Sequence, residues 1–403
     1  MSKKILIISQ HFYPEIGSAG NRMKNIFQLL TEKQHDVSIL TAEPAYPNRH
    51  IYDSPTFWDE EVLNTSSKSI RRIKLSNRKY SRNIFNRLFF FIEVAAKLLK
   101  EVIKDRNHYD VVYVTSPPIF IGIVGLFSKF RFKSKFILDI RDLWPESLKG
   151  VGVFDYKLIL NFFGFIEKQL YRHADAIVVN SNGFIDYIHQ KSKVDKDKIT
   201  FIPNAARQFE LASQPNPVDE EKFKVIYTGN VGLAQDITFL KSLVKKLNEN
   251  NILLTIISYG VKNNELKQFI QEEKLSNVTL CAPFTREKCL EEIRKHQVGI
   301  VSLNDKEVFD TVLPGKVVDY MTCEIPIVGS VSGYTKEVLE NNGVGLVSET
   351  RDVDEIFEHI LHLKNHPEVR SKMSKNSRQC IQEGYVWEDN IERLSQVIQK
   401  IVQ

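Results

Sequence analysis

Residues Val225–Gln235 read VIYTGNVGLAQ, an apolar run that ends in a loop with two glycines. An apolar run without polar alternation predicts a strand buried on both faces, and a strand followed by a helix is typical of a parallel sheet. The chain opens in the same way, because a glycine-containing loop and a helical pattern follow the apolar run Ile5–Ser9. The sequence therefore predicts the same unit of strand, loop and helix at the start of each half.

Similar apolar runs recur along the chain, each followed by a helical pattern. In the first half they are Ile5–Ser9, Val37–Thr41, Val111–Thr115, Phe136–Ile140, Ala176–Ser181 and Ile199–Pro203. In the second half they are Val225–Gly229, Ile252–Ser258, Val278–Ala282, Val298–Leu303, Pro326–Gly329 and Gly345–Ser348. The polar stretch 208–221, QFELASQPNPVDEE, separates the two series. We therefore predict an α/β protein whose two Rossmann-like, doubly wound parallel-sheet domains face each other across a cleft. They comprise residues 1–207 and 222–386, joined by a linker at 208–221.

The composition is that of an ordinary globular protein, with 403 residues of which 42% are apolar and 26% charged. The net charge of +5 suits anionic partners such as phosphates or an acidic membrane surface. Four cysteines lie far apart, and the two Asp-x-Asp pairs lie in charged segments, so no metal site is predicted. No uncharged apolar run reaches the roughly 18 residues of a spanning helix, so none is predicted.

Two loops of the first half have features of a ligand site. The first places Gly17 and Gly20 at the start of a helix, where backbone N–H groups and the helix dipole favour an anion. The second, Leu138–Ser147, reads LDIRDLWPES and puts four charges and a tryptophan at the end of a strand. A plain strand–helix turn and a salt-bridge network are the alternative interpretations of these loops.

A loop of the second half offers further backbone donors. Gly229 and Gly232 follow the strand in Val225–Gln235 and could present N–H groups to a phosphate. Glycines are also ordinary loop residues, so a plain turn is the alternative.

The segment Thr311–Met321 reads TVLPGKVVDYM and predicts a helix that begins at Pro314. Gly315 and Lys316 would then present N–H groups and one ammonium to a diphosphate. Asp319 lies about one turn further on and could reach ribose hydroxyls. A capped helix with a solvated aspartate is the alternative.

Together these loops resemble the family 4 glycosyltransferases of the GT-B fold over nearly the whole chain. The resemblance rests on Ile5–Arg22, His35–Thr41, Asp142–Ser147, Ala174–Ser181, Ile202–Asn204, Tyr227–Gln235 and Pro314–Met321. The motifs DLWPES, GNVGLAQ and PGK look most like the subgroup that adds N-acetylated amino sugars, N-acetyl-fucosamine among them, during O-antigen or capsule assembly. The resemblance implies retention at the anomeric carbon, by front-face attack in which the leaving phosphate helps take the acceptor proton. It also implies that a last helix, residues 387–403, crosses back to the N-terminal domain.

The chain departs from the family pattern at three positions. Typical members carry two glutamates with seven residues between them, and aligning Asp319 with the second puts Thr311 in place of the first. Asn230 and Gln235 stand where an arginine and a lysine are usual. Phosphate charge must then be met by Lys316, by backbone N–H groups and by Arg286.

The predicted site residues form three sets. Asp142 and Glu146, as candidates for acceptor positioning, and Lys316 form the catalytic set. The donor-binding set is Gly17, Gly20, Gly229, Asn230, Gly232, Gln235, Tyr259, Pro283, Phe284, Arg286, Pro314, Gly315, Lys316 and Asp319. The acceptor-binding set is Asn21, Arg22, Arg141 and Trp144. No metal or cofactor is expected, because the nucleotide-sugar is itself a substrate.

A basic stretch precedes an amphipathic helix in the first half. The stretch contains Lys68, Arg71, Arg72, Lys74, Arg78, Lys79, Arg82 and Arg87. Residues 85–102 keep helical spacing of apolar side chains but carry charges, so they do not span a membrane. We predict that the basic stretch contacts an anionic membrane surface, with a solvated loop as the alternative. For the helix we favour core packing over membrane contact.

These features predict a retaining, metal-independent glycosyltransferase that moves an N-acetylated amino sugar from a UDP-sugar to a lipid-linked saccharide. It would act in capsule or O-antigen synthesis, in the cytoplasm at the inner face of the cell membrane, without a nucleic-acid partner. A nucleotide-sugar epimerase of similar shape is one alternative. A non-catalytic nucleotide-sugar-binding partner subunit is the other, because the usual Arg, Lys and first Glu are missing. A dehydrogenase is disfavoured, since Gly-x-Gly-x-x-Gly is absent from both halves.

Overall fold

The chain divides into two compact units, each built on a parallel sheet. The computed structural model describes residues 2–66, 68–76, 84–150, 157–212 and 222–403. One unit is Met1–Pro203 with Glu388–Gln403, and the other is Asn204–Trp387. Among the described residues, no helix has both the length and the apolar character needed to cross a membrane.

The first unit alternates strands and helices. Its strands are β1 (Lys4–Ser9), β2 (Asp36–Ala42), β3 (Ile70–Ile73), β4 (Val111–Ser116), β5 (Lys135–Ile140), β6 (Ala176–Val179) and β7 (Ile199–Phe201). Its helices are α1 (Ser18–Glu32), α2 (Glu61–Thr65), α3 (Ile84–Lys104), α4 (Ile119–Phe132), α5 (Glu146–Gly150), α6 (Lys157–His173) and α7 (Gly183–Ser192). This alternation is what brings parallel strands side by side, because a crossover must return the chain to the same end of the sheet.

The seven strands pair in parallel in the order β3-β2-β1-β4-β5-β6-β7. The central strands are apolar because helices cover both faces of the sheet, and every residue of β4 is buried. The strand that the sequence did not predict is β3, which reads IRRI. It is short, lies at the edge of the sheet and carries two charged residues, as edge strands tolerate.

The second unit repeats the arrangement. Its strands are β8 (Lys224–Asn230), β9 (Leu253–Tyr259), β10 (Val278–Cys281), β11 (Val298–Ser302), β12 (Ile327–Ser330) and β13 (Gly345–Ser348). Its helices are α8 (Gln208–Leu211), α9 (Ile237–Glu249), α10 (Asn263–Glu272), α11 (Arg286–Ile293), α12 (Gly315–Thr322), α13 (Gly333–Asn341), α14 (Val353–Asn365) and α15 (Pro367–Gly384). The strands pair in parallel in the order β10-β9-β8-β11-β12-β13. The predicted fold class, α/β with two Rossmann-like parallel-sheet domains, is confirmed.

The last helix and the start of the predicted linker each belong to one of the two units. The last helix, α16 (Trp387–Val402), has most of its residues in the first unit, where the Asn390 amide donates to the Pro203 carbonyl at 2.9 Å. The stretch predicted as a linker differs from expectation at its start, because α8 lies in the second unit with Glu210 buried. Residues 213–221 of that stretch lie outside the described residues.

A buried ion pair ties α1 to the sheet of the first unit. The Arg22 guanidinium donates to both Asp139 carboxylate oxygens at 2.8–3.2 Å and to the Ile202 carbonyl at 2.8 Å. Both side chains are fully buried. The prediction that Arg22 binds acceptor is therefore corrected, since its donors are used inside the fold and no part of its side chain is exposed.

Loss of this pair should destabilise the chain. Removing one partner of a buried ion pair leaves the other charge unpaired, which costs about 3–5 kcal/mol. Arg22→Ala should lower the free energy of unfolding by about that amount, measured by urea denaturation followed by circular dichroism. Asp36→Ala, which removes one side of the exposed Lys4–Asp36 pair, is the control and should cost less than about 1 kcal/mol. Unchanged stability in Arg22→Ala would contradict the structural role.

Candidate functional site

The strongest candidate site lies in the second unit, at the carboxyl ends of β8 and β11. The strand order reverses between these two strands, and ligands of doubly wound sheets bind beyond the strand ends at such a point. Gly229 is the last residue but one of β8, and its φ of +98° is one that glycine adopts without strain. A Cβ built on Gly229 would lie 3.7 Å from Lys316 Cε. The loop after β8 and the start of α12 therefore meet at this point.

Lys316 carries a buried ammonium at the first turn of α12. Its Nζ lies 3.6 Å from the centroid of the Tyr227 ring, which is close enough for a cation–π interaction. Nζ is buried and has no hydrogen-bond acceptor among the described residues. Burial lowers the pKa of Lys316 to about 7, although Asp319 opposes the shift. An anion that reached this ammonium would supply the missing acceptor and favour its charged form.

Asp319 lies one turn further along α12 and is held by an arginine. The Arg286 guanidinium donates to Asp319 Oδ1 at 2.8 Å and to both Glu210 carboxylate oxygens at 2.6 and 3.0 Å. Glu210 is nearly buried, whereas Asp319 remains partly exposed. Burial raises the pKa of Asp319, and Arg286 opposes that shift.

This arrangement differs from the phosphate contact that we predicted for Arg286. Two carboxylates already accept from its guanidinium, so its charge is compensated within the unit. Arg286 therefore positions Asp319, and Lys316 is left as the cation at the start of α12. Glu210 was missed as a member of this cluster because its segment lacks periodicity and was predicted to be a linker.

The loops after β8 and β9 complete the second-unit site. The Val231 N–H donates to the Tyr259 carbonyl at 2.7 Å. A Cβ on Gly260, whose φ is +114°, would lie 2.1 Å from Asn230 Oδ1, so only glycine fits there. The Gln235 side chain accepts from the Gly232 N–H at 2.9 Å, which makes Gln235 a loop support and removes the predicted phosphate donor at Gly232.

The remaining predicted donor-binding residues of the second unit lie on two loops. Pro283 and Phe284 are partly exposed between β10 and α11, in the same loop that leads to Arg286. The helix predicted to begin at Pro314 begins one residue later, because Pro314 is the N-cap residue of α12 and Gly315 is its first helical residue. The structure thus places the residues around Lys316 and Asp319 on neighbouring loops of one unit.

The predicted glycine loop of the first unit has a defined shape. Gly17 has a φ of +99° and caps α1, and the Asn21 N–H donates to its carbonyl at 3.2 Å. A Cβ on Gly20 would lie 2.3 Å from the Glu15 carbonyl oxygen, so the turn requires glycine there. The Glu15 carboxylate, which the sequence did not single out, accepts from the Ala45 and Tyr46 N–H groups at 2.7 and 2.8 Å.

The loop after β5 holds the other first-unit candidates. The Arg141 guanidinium donates to Thr115 Oγ1 at 2.6 Å and to the Pro117 carbonyl at 2.9 Å. Trp144 is buried against Phe163, so its predicted contact with acceptor is corrected to a packing role. Burial raises the pKa of Asp142, which favours its protonated form at a higher pH than usual.

Glu146 belongs to a charge cluster that links α5, α6 and α7. Lys191 Nζ lies 3.2 Å from Glu146 and 2.6 Å from Glu167. Burial raises the pKa of Glu167 to about 7, against the opposing effect of Lys191. Glu146 is the partly exposed carboxylate of the cluster, so it is the member that a ligand could reach.

The described part of the chain contains no cluster of three His, Cys, Asp or Glu side chains that could hold a metal ion.

Two family descriptions match the two units. Residues 17–205 match "Glycosyl transferase 4-like domain", and residues 208–380 match "Glycosyl transferases group 1".

Curated relatives are distant but extend over most of the chain. The Escherichia coli (strain K12) protein WcaI, named as a glycosyl transferase of colanic acid biosynthesis, is 19% identical over 83% of this chain and 84% of its own length. The Bacillus anthracis N-acetyl-alpha-D-glucosaminyl L-malate synthase is 20% identical over 93% of this chain and 91% of its own length.

Solved structures share the fold at still lower identity. Sucrose-phosphate synthase from Thermosynechococcus elongatus has a TM-score of 0.75 at 16% identity and covers 99% of both chains. Anabaena HepE in complex with UDP and glucose has a TM-score of 0.71 at 13% identity, over 99% of this chain and all of the other.

The buried Lys316 ammonium should make stability depend on pH. Its folded pKa of about 7 lies below the ordinary lysine value, so the unfolded chain binds more protons between these values and stability rises with pH there. Lys316→Met removes the cost of burying this group. The variant should therefore unfold at a higher urea concentration than wild type at pH 6, and the difference should shrink by pH 9.

The control is Lys306→Met, which removes an exposed lysine. It should not produce this pH-dependent difference. An advantage of Lys316→Met that is equal at both pH values would contradict the lowered pKa.

Proposed function

Because the chain combines a glycosyl transferase 4-like domain with a domain of the glycosyl transferases group 1, it is a glycosyltransferase of the GT-B fold, and we propose that it retains anomeric configuration and uses a UDP-sugar. The observation that carries the proposal is the buried Lys316 ammonium at the first turn of α12, which no acceptor among the described residues meets. A diphosphate placed there would receive the N–H groups of the helix start and one ammonium.

The leaving diphosphate sets the chemical demand on this site. Negative charge develops on it as the bond to the anomeric carbon breaks, so preorganised donors stabilise the transition state more than the ground state. Lys316 and the first N–H groups of α12 would supply this stabilisation without a metal. Asp319, held by Arg286, is placed on the same helix to accept hydrogen bonds from the ribose hydroxyls. Retention of configuration follows from the family resemblance, with the leaving phosphate taking the acceptor proton.

The first unit would bind the acceptor. Asp142 and Glu146 are the proposed positioning groups, because Arg22 and Trp144 are used inside the fold. Glu146 is partly exposed and oriented by Lys191, so it can accept a hydrogen bond from a saccharide hydroxyl. We assign no general base to either carboxylate.

The sugar and the acceptor are proposed from relatives and from the family resemblance. WcaI is named for colanic acid biosynthesis, and the Bacillus anthracis enzyme is named as an N-acetyl-alpha-D-glucosaminyl L-malate synthase. These names support an N-acetylated amino sugar and a part in polysaccharide synthesis. The lipid-linked saccharide acceptor at the inner face of the cell membrane is proposed from the family resemblance alone. An epimerase would instead convert the free nucleotide-sugar without acceptor, and a non-catalytic subunit would bind it without turnover.

The function is tested with purified full chain, UDP-sugars and a lipid-linked saccharide acceptor. Lys316→Ala should lower turnover on the order of 100-fold or more, because removing one preorganised donor has costs of that size. Lys372→Ala, which removes an exposed lysine on α15, is the control and should match wild type. Wild-type turnover in Lys316→Ala would contradict the proposed role. Conversion of the nucleotide-sugar to an epimer, whether or not acceptor is present, would indicate the epimerase.

Metal independence gives a separate test. We expect full turnover in EDTA, because Lys316 and helix N–H groups take the part that a divalent cation plays elsewhere. Turnover with the same UDP-sugar and acceptor is compared before and after dialysis against EDTA. Activity that disappears and returns only with magnesium or manganese would show that the leaving group depends on a metal.

A further inference from the structure

Three neighbouring helices of the first unit each turn an apolar stripe to solvent. The exposed members are Phe89, Ile92 and Ile103 on α3, Ile123, Phe127 and Phe130 on α4, and Leu158, Phe162 and Phe165 on α6. We call these nine residues the three-helix face. On each helix they recur every three or four residues or at a multiple of that spacing, so each set lies along one side. Large aromatic side chains left exposed in this number mark an interaction surface.

Contacts on the inner side show that the three helices lie next to one another. The Trp144 ring packs against Phe91 of α3, Phe120 of α4 and Phe163 of α6. These inward aromatic rings hold one end of the layer together.

The helix ends are linked as well. Lys129 of α4 donates to the His173 carbonyl at the end of α6 at 2.9 Å, and Arg131 donates to the Asp105 carbonyl just after α3 at 3.2 Å. The three stripes therefore form one continuous face.

The charge around the face is positive. α3 carries four Lys or Arg against two Glu, α4 two against none, and α6 three against one. The one acidic residue of α6, Glu167, is buried, and Glu93 and Glu101 of α3 pair with Lys97 and Lys104.

Each helix has basic residues in its last turn, where Lys104 pairs with Glu101 and Lys129 pairs with Asp175. The exposed Arg131 of α4 and Arg172 of α6 have no ion-pair partner among the described residues, and they form a basic border at this end of the apolar face.

We propose that the three-helix face lies in the surface of an anionic lipid bilayer. Helices that bind in the plane of a membrane combine Phe and Leu on one side with Lys and Arg beside them. Protein interfaces, by contrast, are depleted in lysine. The phenylalanines would enter the region between headgroups and acyl chains, and the basic border would contact anionic headgroups.

This inference deepens the proposed membrane-bound acceptor and replaces the contact predicted from the basic stretch 68–87. In that stretch Arg71 pairs with Asp105, and Arg72 stacks on Phe12 and Trp58. Arg78, Lys79 and Arg82 lie outside the described residues. A face that inserts apolar side chains differs from a purely electrostatic contact, because salt weakens its binding without abolishing it.

The test is flotation of the purified full chain with vesicles of phosphatidylcholine alone, or with phosphatidylglycerol in equal parts. Wild type should bind the anionic vesicles, and high salt should release only part of it. The double variant Phe130→Gln, Phe162→Gln removes two exposed rings and should bind about tenfold more weakly or worse. The matched control is Val62→Gln, an exposed apolar residue on α2, and should bind as wild type does.

A tryptophan probe reports insertion directly. In Phe162→Trp, lipids brominated near the headgroup end of the acyl chain should quench the added fluorescence, whereas Val62→Trp should show no added quenching. Binding of the double variant equal to wild type, complete release by salt, or no wild-type binding would overturn the proposal. It would also fall if sedimentation showed a wild-type dimer that the double variant dissociates, since the face would then join two copies.

Donor binding separates this proposal from the proposed function. UDP should raise the melting temperature of wild type and of the double variant equally, because the substituted residues lie in the other unit from Lys316. A UDP effect in both proteins without vesicle binding overturns the membrane face alone. Vesicle binding without any UDP effect overturns the donor site alone.

Discussion

Parallel pairing of buried strands determines where polar groups can lie in this chain. Each sheet is covered by helices, so its central strands are largely apolar, and the charged residues of the candidate sites lie near or beyond the strand ends. The chain order reverses between β1 and β4 in one sheet and between β8 and β11 in the other. Gly17 lies in the loop after β1 and Gly229 lies near the carboxyl end of β8, so both lie beside such a reversal. The same constraint thus fixes one candidate ligand position in each unit.

Charges near these ends fall into two classes. Arg22 with Asp139, and Arg286 with Glu210 and Asp319, are held by several hydrogen bonds, which offset much of the cost of removing the charges from water. Lys316 Nζ lies over the face of the Tyr227 ring and has no hydrogen-bond acceptor in the part of the chain that the structure describes. Because no acceptor among the described residues meets this ammonium, an anion at the start of α12 could pair with it. Pairing therefore separates structural arginines from the residue expected to contact the donor.

The sequence predicted the strands well and the partners of polar residues poorly. All twelve apolar runs became strands, because continuous burial leaves a direct pattern in the chain. The edge strand β3 was missed, since its two arginines interrupt that pattern. Arg22, Trp144 and Arg286 were recognised as unusual residues, yet their contacts come from Asp139, Phe163 and Glu210, which are distant in sequence. Periodicity gives the face of a helix but cannot give the residue that meets it.

The helix predicted at 85–102 also shows that periodicity does not identify what a helix face contacts. The spacing of its apolar residues favours core packing, and Phe90, Val94, Leu98 and Val102 are buried. Phe89, Ile92 and Ile103 on its other side are exposed, and a stripe of core residues cannot be told from a stripe for lipid by spacing alone. Only the neighbouring helices decide between them, because a lone exposed phenylalanine is ordinary whereas three adjoining stripes form a surface. Apolar side chains are unfavourable in water, and the charges that border this surface are basic. An anionic bilayer is therefore the environment in which both its apolar and its charged parts are stabilised.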